Sequence, residues 1–158
     1  MNAMDKNIEE SFEKFGGLYA WSTSIFILQL LALTWFTGRI RVRTQTIHSE
    51  EDKVWMKNEK ITLCVSGGGH PDVDRIRSIH FNDLALIIIW LFIIPFWLLT
   101  SPEYTTAFVI MNLFLISKIF HTVLYFKLIV SPIFLKITAI TCYVLIIIVS
   151  VYSIYCYY

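Results

Sequence analysis

Four apolar stretches, each long enough to cross a bilayer, decide what this chain can fold into. A hydrocarbon core about 30 Å thick takes roughly 20 residues of helix, and residues 15–38, 79–100, 104–128 and 132–156 each supply that length. Phe15 to Gly38 and Leu84 to Pro102 carry no charge, Tyr104 to Phe126 is interrupted only by Lys118 and His121, and Ile137 to Tyr158 is again uncharged. A hydrophobic share of 56% and a mean hydropathy of +0.63 are too high for an ordinary water-exposed domain of this size. Lipid offers the backbone no hydrogen-bond partner, so spanning segments must be helices that pair their own N–H and C=O groups. The sequence predicts an all-α, polytopic membrane protein with a single domain over residues 1–158.

Positive charge sets the expected orientation. Eight of the thirteen Lys and Arg residues (Arg39, Arg41, Arg43, Lys53, Lys57, Lys60, Arg75 and Arg77) lie in the connection 39–78, and the turn Thr100 to Glu103 has none. The positive-inside rule then places connection 39–78 in the cytosol and both termini on the other side. The segment ahead of the first span is acidic (Asp5, Glu9, Glu10 and Glu13 against Lys6 and Lys14), which fits a retained span better than a cleaved signal. Basic residues gathered at one membrane face serve topology, and a net charge of +1 gives no footprint for nucleic acid. Cys64, Cys142 and Cys156 lack metal-ligand spacing and the four histidines are isolated, so no metal site is expected.

Short connections after the second and third spans favour an up-down four-helix bundle. The first helix is expected to start near Ser11 and to run through Arg39-Ile40-Arg41-Val42-Arg43. Alternation of Arg with Ile and Val looks strand-like, but after an apolar helix it marks a helix leaving the membrane with snorkelling arginines. Ser66-Gly67-Gly68-Gly69 reads as a hinge; it lacks the Lys-Ser/Thr that a nucleotide-binding loop requires. Pro71 is suited to open the second helix, with Asp72 and Asp74 at its positive end, and Pro95 is placed to bend it. The third helix is expected to end near Leu128, and Ser131-Pro132 to start the fourth.

Two polar groups interrupt this apolar plan. No Gly or Pro separates Asp72–Asp83 from the apolar run that follows, so one helix should begin in water and continue into lipid, carrying Arg75, Arg77, Ser78, His80, Asn82 and Asp83 near the boundary. On the third helix Lys118, His121 and Tyr125 stand at i, i+3 and i+7, which is one face. Each residue alone has an ordinary explanation: Asp83 pairing with His80 or a nearby Arg, Lys118 snorkelling or bonding to backbone. With Arg41 at the exit of the first helix, the groups are expected at one depth near the cytosolic boundary, and intramembrane polar groups are functional candidates. Arg, Lys, His and Asn donors beside an apolar interior suit a small carboxylate-bearing anion and an apolar co-substrate arriving from lipid.

Gly38-Arg39-Ile40-Arg41-Val42-Arg43, Glu51-Asp52, the run Asp72 to Asp83 with its Arg77, His80, Asn82 and Asp83, His121-Thr122-Val123-Leu124-Tyr125, and Pro132 together resemble the MAPEG family. These are membrane-associated proteins of eicosanoid and glutathione metabolism, and the likeness is to the glutathione transferase and prostaglandin E synthase branches, over roughly Thr37 to Ser150. The resemblance implies a homotrimer of four-helix bundles in the endoplasmic reticulum membrane or the mitochondrial outer membrane, with glutathione bound between subunits near the cytosolic face. By position, Arg41, Arg77, His80, Asn82, Lys118 (an Arg in the family) and Tyr125 would line the glutathione site, and His121, on the same face as Lys118 and Tyr125, is counted with them. The implied reaction is attack of the glutathione thiolate on a lipophilic electrophile, or reduction of a lipid hydroperoxide. The cations would hold the carboxylates and stabilise the thiolate, the actual nucleophile.

The chain departs from that pattern at informative places. Ala85 stands where the family has a Glu that would bind the ligand's amino group, and Phe134 where it has the Arg credited with thiol activation, so no catalytic residue is assigned. Ser78 replaces a second Arg, Thr138 a Tyr of the prostaglandin synthase branch, and Lys136 is the substitute cation the sequence offers near Phe134. A glutathione transferase or peroxidase is the expected function; the alternatives are a non-catalytic member binding lipid or glutathione and a glutathione-dependent prostaglandin E synthase.

Overall fold

A computed structural model describes residues 3–47, 49–51, 54, 61–64, 69–126 and 132–158. The order is α1 (Ala3–Thr44), β1 (Thr46–Ile47), β2 (Thr62–Leu63), α2 (Pro71–Leu99), α3 (Tyr104–Phe126) and α4 (Pro132–Tyr157). Helices of 42, 29, 23 and 26 residues extend about 63, 43, 34 and 39 Å at about 1.5 Å per residue. All four are long and apolar enough to cross a membrane, and the protein is an all-α membrane protein with four membrane-spanning helices. α1 begins eight residues ahead of the expected Ser11. The expected end of the third helix at Leu128 falls outside the described residues, as do Lys53, Lys57, Lys60, Gly67 and Gly68.

The chain divides into two compact units. The first, residues 1–28 with 83–158, is the four-helix bundle. Its core is an aromatic stack: Trp90 of α2 lies face to face on Phe114 of α3 (centroids 3.9 Å, planes 6° apart), and Phe26 of α1 meets Phe114 edge-on at 5.7 Å. All three rings are fully buried. Ala107 and Met111 of α3 extend this core, and Cys142, Leu145, Val149 and Ser153 form the inner stripe of α4, at the i, i+3, i+7 spacing of one helix face. Outward positions such as Ile116, Phe120, Ile140 and Ile147 are apolar and exposed, the arrangement a lipid solvent requires.

Alternating helix directions follow from the contacts at one end of the bundle. The Ser11 hydroxyl near the start of α1 meets that of Ser101 (3.2 Å), the Lys14 ammonium donates to the Pro102 carbonyl (3.1 Å), and the Tyr157 hydroxyl at the end of α4 donates to the Phe96 carbonyl (3.1 Å). Phe96 belongs to the last turn of α2, whose carbonyls have no intrahelical partner. Thr100 and Ser101 cap the preceding turn through N–H bonds to Trp97 and Leu98, with Ser101 in the left-handed region at φ 54°. Pro95 sits inside α2 without ending it. A proline cannot donate to the carbonyl four residues back, here Leu91, and the Tyr19 hydroxyl of α1 donates to that carbonyl at 3.3 Å.

The second unit, residues 29–82, buries Leu33, Ile47, Val73, Ile76 and Ile79. α1 continues through the Arg-rich segment to Thr44, as expected, and stops at Gln45, which takes the left-handed φ of 56°. β1 and β2 then pair in parallel, Thr46 with Thr62 and Ile47 with Leu63. Gly69 lies tight against this pair: an added Cβ would come within 2.9 Å of the Cys64 Cβ and the Thr46 methyl. Read from sequence as part of a hinge, Gly69 is a close-packing position. α2 opens at Pro71 as expected, and His70 caps it, its Nδ1 accepting the Asp72 N–H at 3.2 Å in the manner of a polar N-cap side chain.

Candidate functional site

The expected site residues fall on three elements, and the structure treats them differently. In the bundle, Lys118 is wholly buried and its Nζ lies 2.6 Å from Oδ1 of Asp83, which is equally buried. The Thr122 hydroxyl, one turn on from Lys118, hydrogen-bonds Oδ2 of Asp83 and lies 3.0 Å from the Lys118 carbonyl. Neither charge would be tolerable alone in this apolar setting; together, with a hydroxyl on the second carboxylate oxygen, each is compensated. The sequence reading paired Asp83 with His80 or an arginine and missed this partner. The signal was available: Asp83 and Lys118 are isolated charges in two successive apolar stretches.

His121 follows Lys118 by three residues and is 5% exposed. Among the described residues its Nδ1 is buried without a hydrogen-bond partner. The Tyr125 ring lies 5.9 Å away, tilted by 52°, and is half-buried. Cys142 of α4, which sequence reasoning set aside, is buried within electrostatic range of Lys118 and Asp83. The bundle therefore contains a neutralised ion pair and, beside it on α3, an imidazole whose Nδ1 is unpartnered among the described residues.

In the second unit, α2 presents Arg77, His80 and Asn82, all half-buried. At about 100° per residue, Arg77 and His80 stand about 60° apart on one flank, while Asn82 is about 160° from His80. One face of this helix holds Arg77 and His80 but not Asn82. Arg75 is turned to Asp72 (3.5 Å), and the Ser78 hydroxyl donates to the Asp74 carbonyl. Arg41, in the last turn of α1, is half-buried. Ala85 is exposed on α2, as are Phe134 and Lys136 in the first turns of α4.

No family model matches the chain. Among curated proteins it is 25% identical to prostaglandin E synthase of Homo sapiens over 111 residues, 70% of each chain. It is 26% identical to prostaglandin E synthase of Rattus norvegicus over 103 residues, 65% of this chain and 64% of that one. With microsomal glutathione S-transferase 1 of Bos taurus it shares 35% identity over 60 residues, 38% of this chain and 39% of the relative. The chain is thus similar, at low identity or over part of its length, to two MAPEG proteins, and its four spanning helices and Arg-His-Asn-Asp and His-Thr-Tyr patterns point the same way.

Proposed function

We propose that this protein is a membrane-bound glutathione transferase or peroxidase, which conjugates glutathione to lipophilic electrophiles or reduces lipid hydroperoxides. The observation that carries the reading is the retained pair Arg77 and His80 on one flank of α2, in a chain similar to microsomal glutathione S-transferase 1. A guanidinium at that position suits a carboxylate of the tripeptide through charge-assisted, two-point hydrogen bonding, and His80 adds a second donor. Arg41, Asn82, Lys118, His121 and Tyr125 are the remaining ligand-binding positions that the family pattern assigns. Lys118 would act through the shape of the bundle, since its ammonium is held by Asp83; His121 retains an unused ring nitrogen. Assembly as a homotrimer, glutathione bound between subunits, and residence in the endoplasmic reticulum membrane belong to the same proposal.

The chemistry asked of the protein is to hold the thiol near its apolar partner and favour the thiolate over the thiol. Purified protein in detergent or nanodiscs should conjugate glutathione to a chlorodinitrobenzene. Arg77→Ala should lower kcat/KM by about 10–100-fold, the loss of one charge-assisted hydrogen bond of roughly 1.5–3 kcal/mol. Conjugation no faster than in buffer would sink the transferase reading.

A second reading, a member that binds glutathione or lipid without turnover, is favoured by Ala85 and Phe134, which supply neither an acid for the ligand's amino group nor a cation for its sulfur. Saturable glutathione binding with no turnover would select it. A large gain in rate from Ala85→Glu with Phe134→Arg would identify those two positions as what limits the chemistry.

A further inference from the structure

The transferase reading uses Arg41 and leaves Arg39 and Arg43 unexplained. In a strand the three would share one face, but α1 is helical here. At about 100° per residue, Arg39 and Arg43 lie about 40° apart and Arg41 about 160° from both. The alternating pattern therefore sorts into a pair and a singleton on opposite sides of the helix. The paired side carries a groove of about 790 Å³ on the outer surface of α1, walled by Trp35, Phe36, Val42 and the two arginines, with Gly38 leaving an open notch in its floor. Arg39 lies over the Trp35 ring with its Cζ 4.8 Å from the centroid, and Trp35 meets Phe36 edge-on at 5.1 Å. All of these side chains are exposed. Among the described residues neither Arg39 nor Arg43 is paired with a carboxylate.

We propose that this groove is a binding site for an anionic phospholipid, its phosphate seated between Arg39 and Arg43 and its acyl chains lying along Trp35 and Phe36. The order of residues along the helix mirrors the order of groups in such a lipid. The apolar stretch of α1 ends at Gly38, so Trp35 and Phe36 lie at the depth of the acyl chains' upper segments, where aromatic rings concentrate. Arg39 and Arg43, one turn apart, follow at headgroup depth. A water-soluble anion would use the cations and leave the aromatic wall idle; a zwitterionic lipid would use the wall and leave the second cation uncompensated. The basic connection places this end of α1 at the cytosolic leaflet, where anionic lipids are enriched. Cation–π contact with Trp35 restricts the Arg39 guanidinium beforehand, reducing the ordering that binding requires.

The test is tryptophan quenching of the full chain in vesicles of phosphatidylcholine containing brominated-chain phosphatidylglycerol or, in parallel, brominated-chain phosphatidylcholine at the same mole fraction. Stronger quenching by the anionic lipid is expected, and Trp35→Phe should abolish that excess. Each basic residue near the surface contributes about fivefold in preference, so Arg39→Gln with Arg43→Gln should lower the preference about 25-fold, while Arg39→Lys with Arg43→Lys keeps most of it. Equal quenching by the two lipids, or a preference that survives in the double glutamine variant, overturns the proposal. So does the absence of Trp35 quenching by either lipid, the outcome if a second copy of the chain covers the groove.

Discussion

Lys118→Met breaks the buried ion pair while keeping a flexible side chain of similar length. At 2.6 Å and an effective dielectric of about 20, the attraction between the two charges is about 6 kcal/mol. Desolvation of two wholly buried ions offsets most of that, so the pair as a whole contributes little net stability. Removing one partner is different, because the Asp83 carboxylate then remains inside the bundle, hydrogen-bonded by the Thr122 hydroxyl but without the ammonium that compensates its charge. The expected loss is about 3–5 kcal/mol. Replacing both charges, Asp83→Leu with Lys118→Met, should return stability to within about 1–2 kcal/mol of the natural chain, since two apolar side chains of similar size refill the space. The assay is reversible unfolding of the purified protein by SDS in mixed micelles, followed by circular dichroism, for the four members of the cycle. A Lys118→Met variant within 1 kcal/mol of the parent, or single losses that simply add in the double variant, would refute a closed, desolvated pair.

Other substitutions test the same structure by different physics. Tyr19→Phe should cost about 1 kcal/mol, because the Leu91 carbonyl that Pro95 cannot serve loses its donor; in a Pro95→Ala background the cost should vanish, and an undiminished cost there would disprove the pairing. Gln45→Gly should stabilise by about 1 kcal/mol in the same unfolding assay, since a left-handed φ of 56° suits glycine. Ser101→Gly should come out near neutral, because the gain at φ 54° is offset by loss of the Ser11 contact. Gly69→Ala should destabilise by about 1–3 kcal/mol through overlap with Cys64 and Thr46, and proteolysis of the connection should report it first.

Most of the architecture was legible because it follows from single-residue statistics over long windows. Apolar runs of membrane length, the Pro71 start with its acidic first turn, and the helical continuation through Arg39 to Arg43 all appear where the sequence places them. What sequence could not supply are contacts between distant residues that each look unremarkable. Tyr19 and Pro95 are 76 positions apart in the chain, and nothing local in either names the other. The pairing of Thr46 with Thr62 rests on two-residue strands, too short for any periodicity to declare. Gly69 was misread for a related reason: a glycine run looks the same whether it is there for freedom or for lack of a Cβ. The Asp83–Lys118 pair lies between these cases. Two isolated charges in neighbouring apolar helices call for partners, but only the packing of α2 on α3 shows that they find each other.

That pair also changes how mutations in this region must be read. On sequence, Lys118 and Arg77 look like equivalent cations awaiting an anionic ligand; in the structure one is wholly buried on a carboxylate and the other is half-buried on a helix flank. A Lys118 variant that loses glutathione turnover has two causes available, a lost ligand contact and an opened bundle, and the unfolding penalty predicted above makes the second sufficient by itself. Arg77→Ala lacks that ambiguity, because a half-exposed flank position carries no comparable burial cost. The informative comparison is therefore Asp83→Leu with Lys118→Met against Arg77→Ala. The first restores packing while deleting the Lys118 charge, and the second deletes a candidate ligand cation while leaving the bundle intact. If the bundle double variant keeps turnover and Arg77→Ala loses it, the buried lysine serves the scaffold and the flank of α2 serves the ligand.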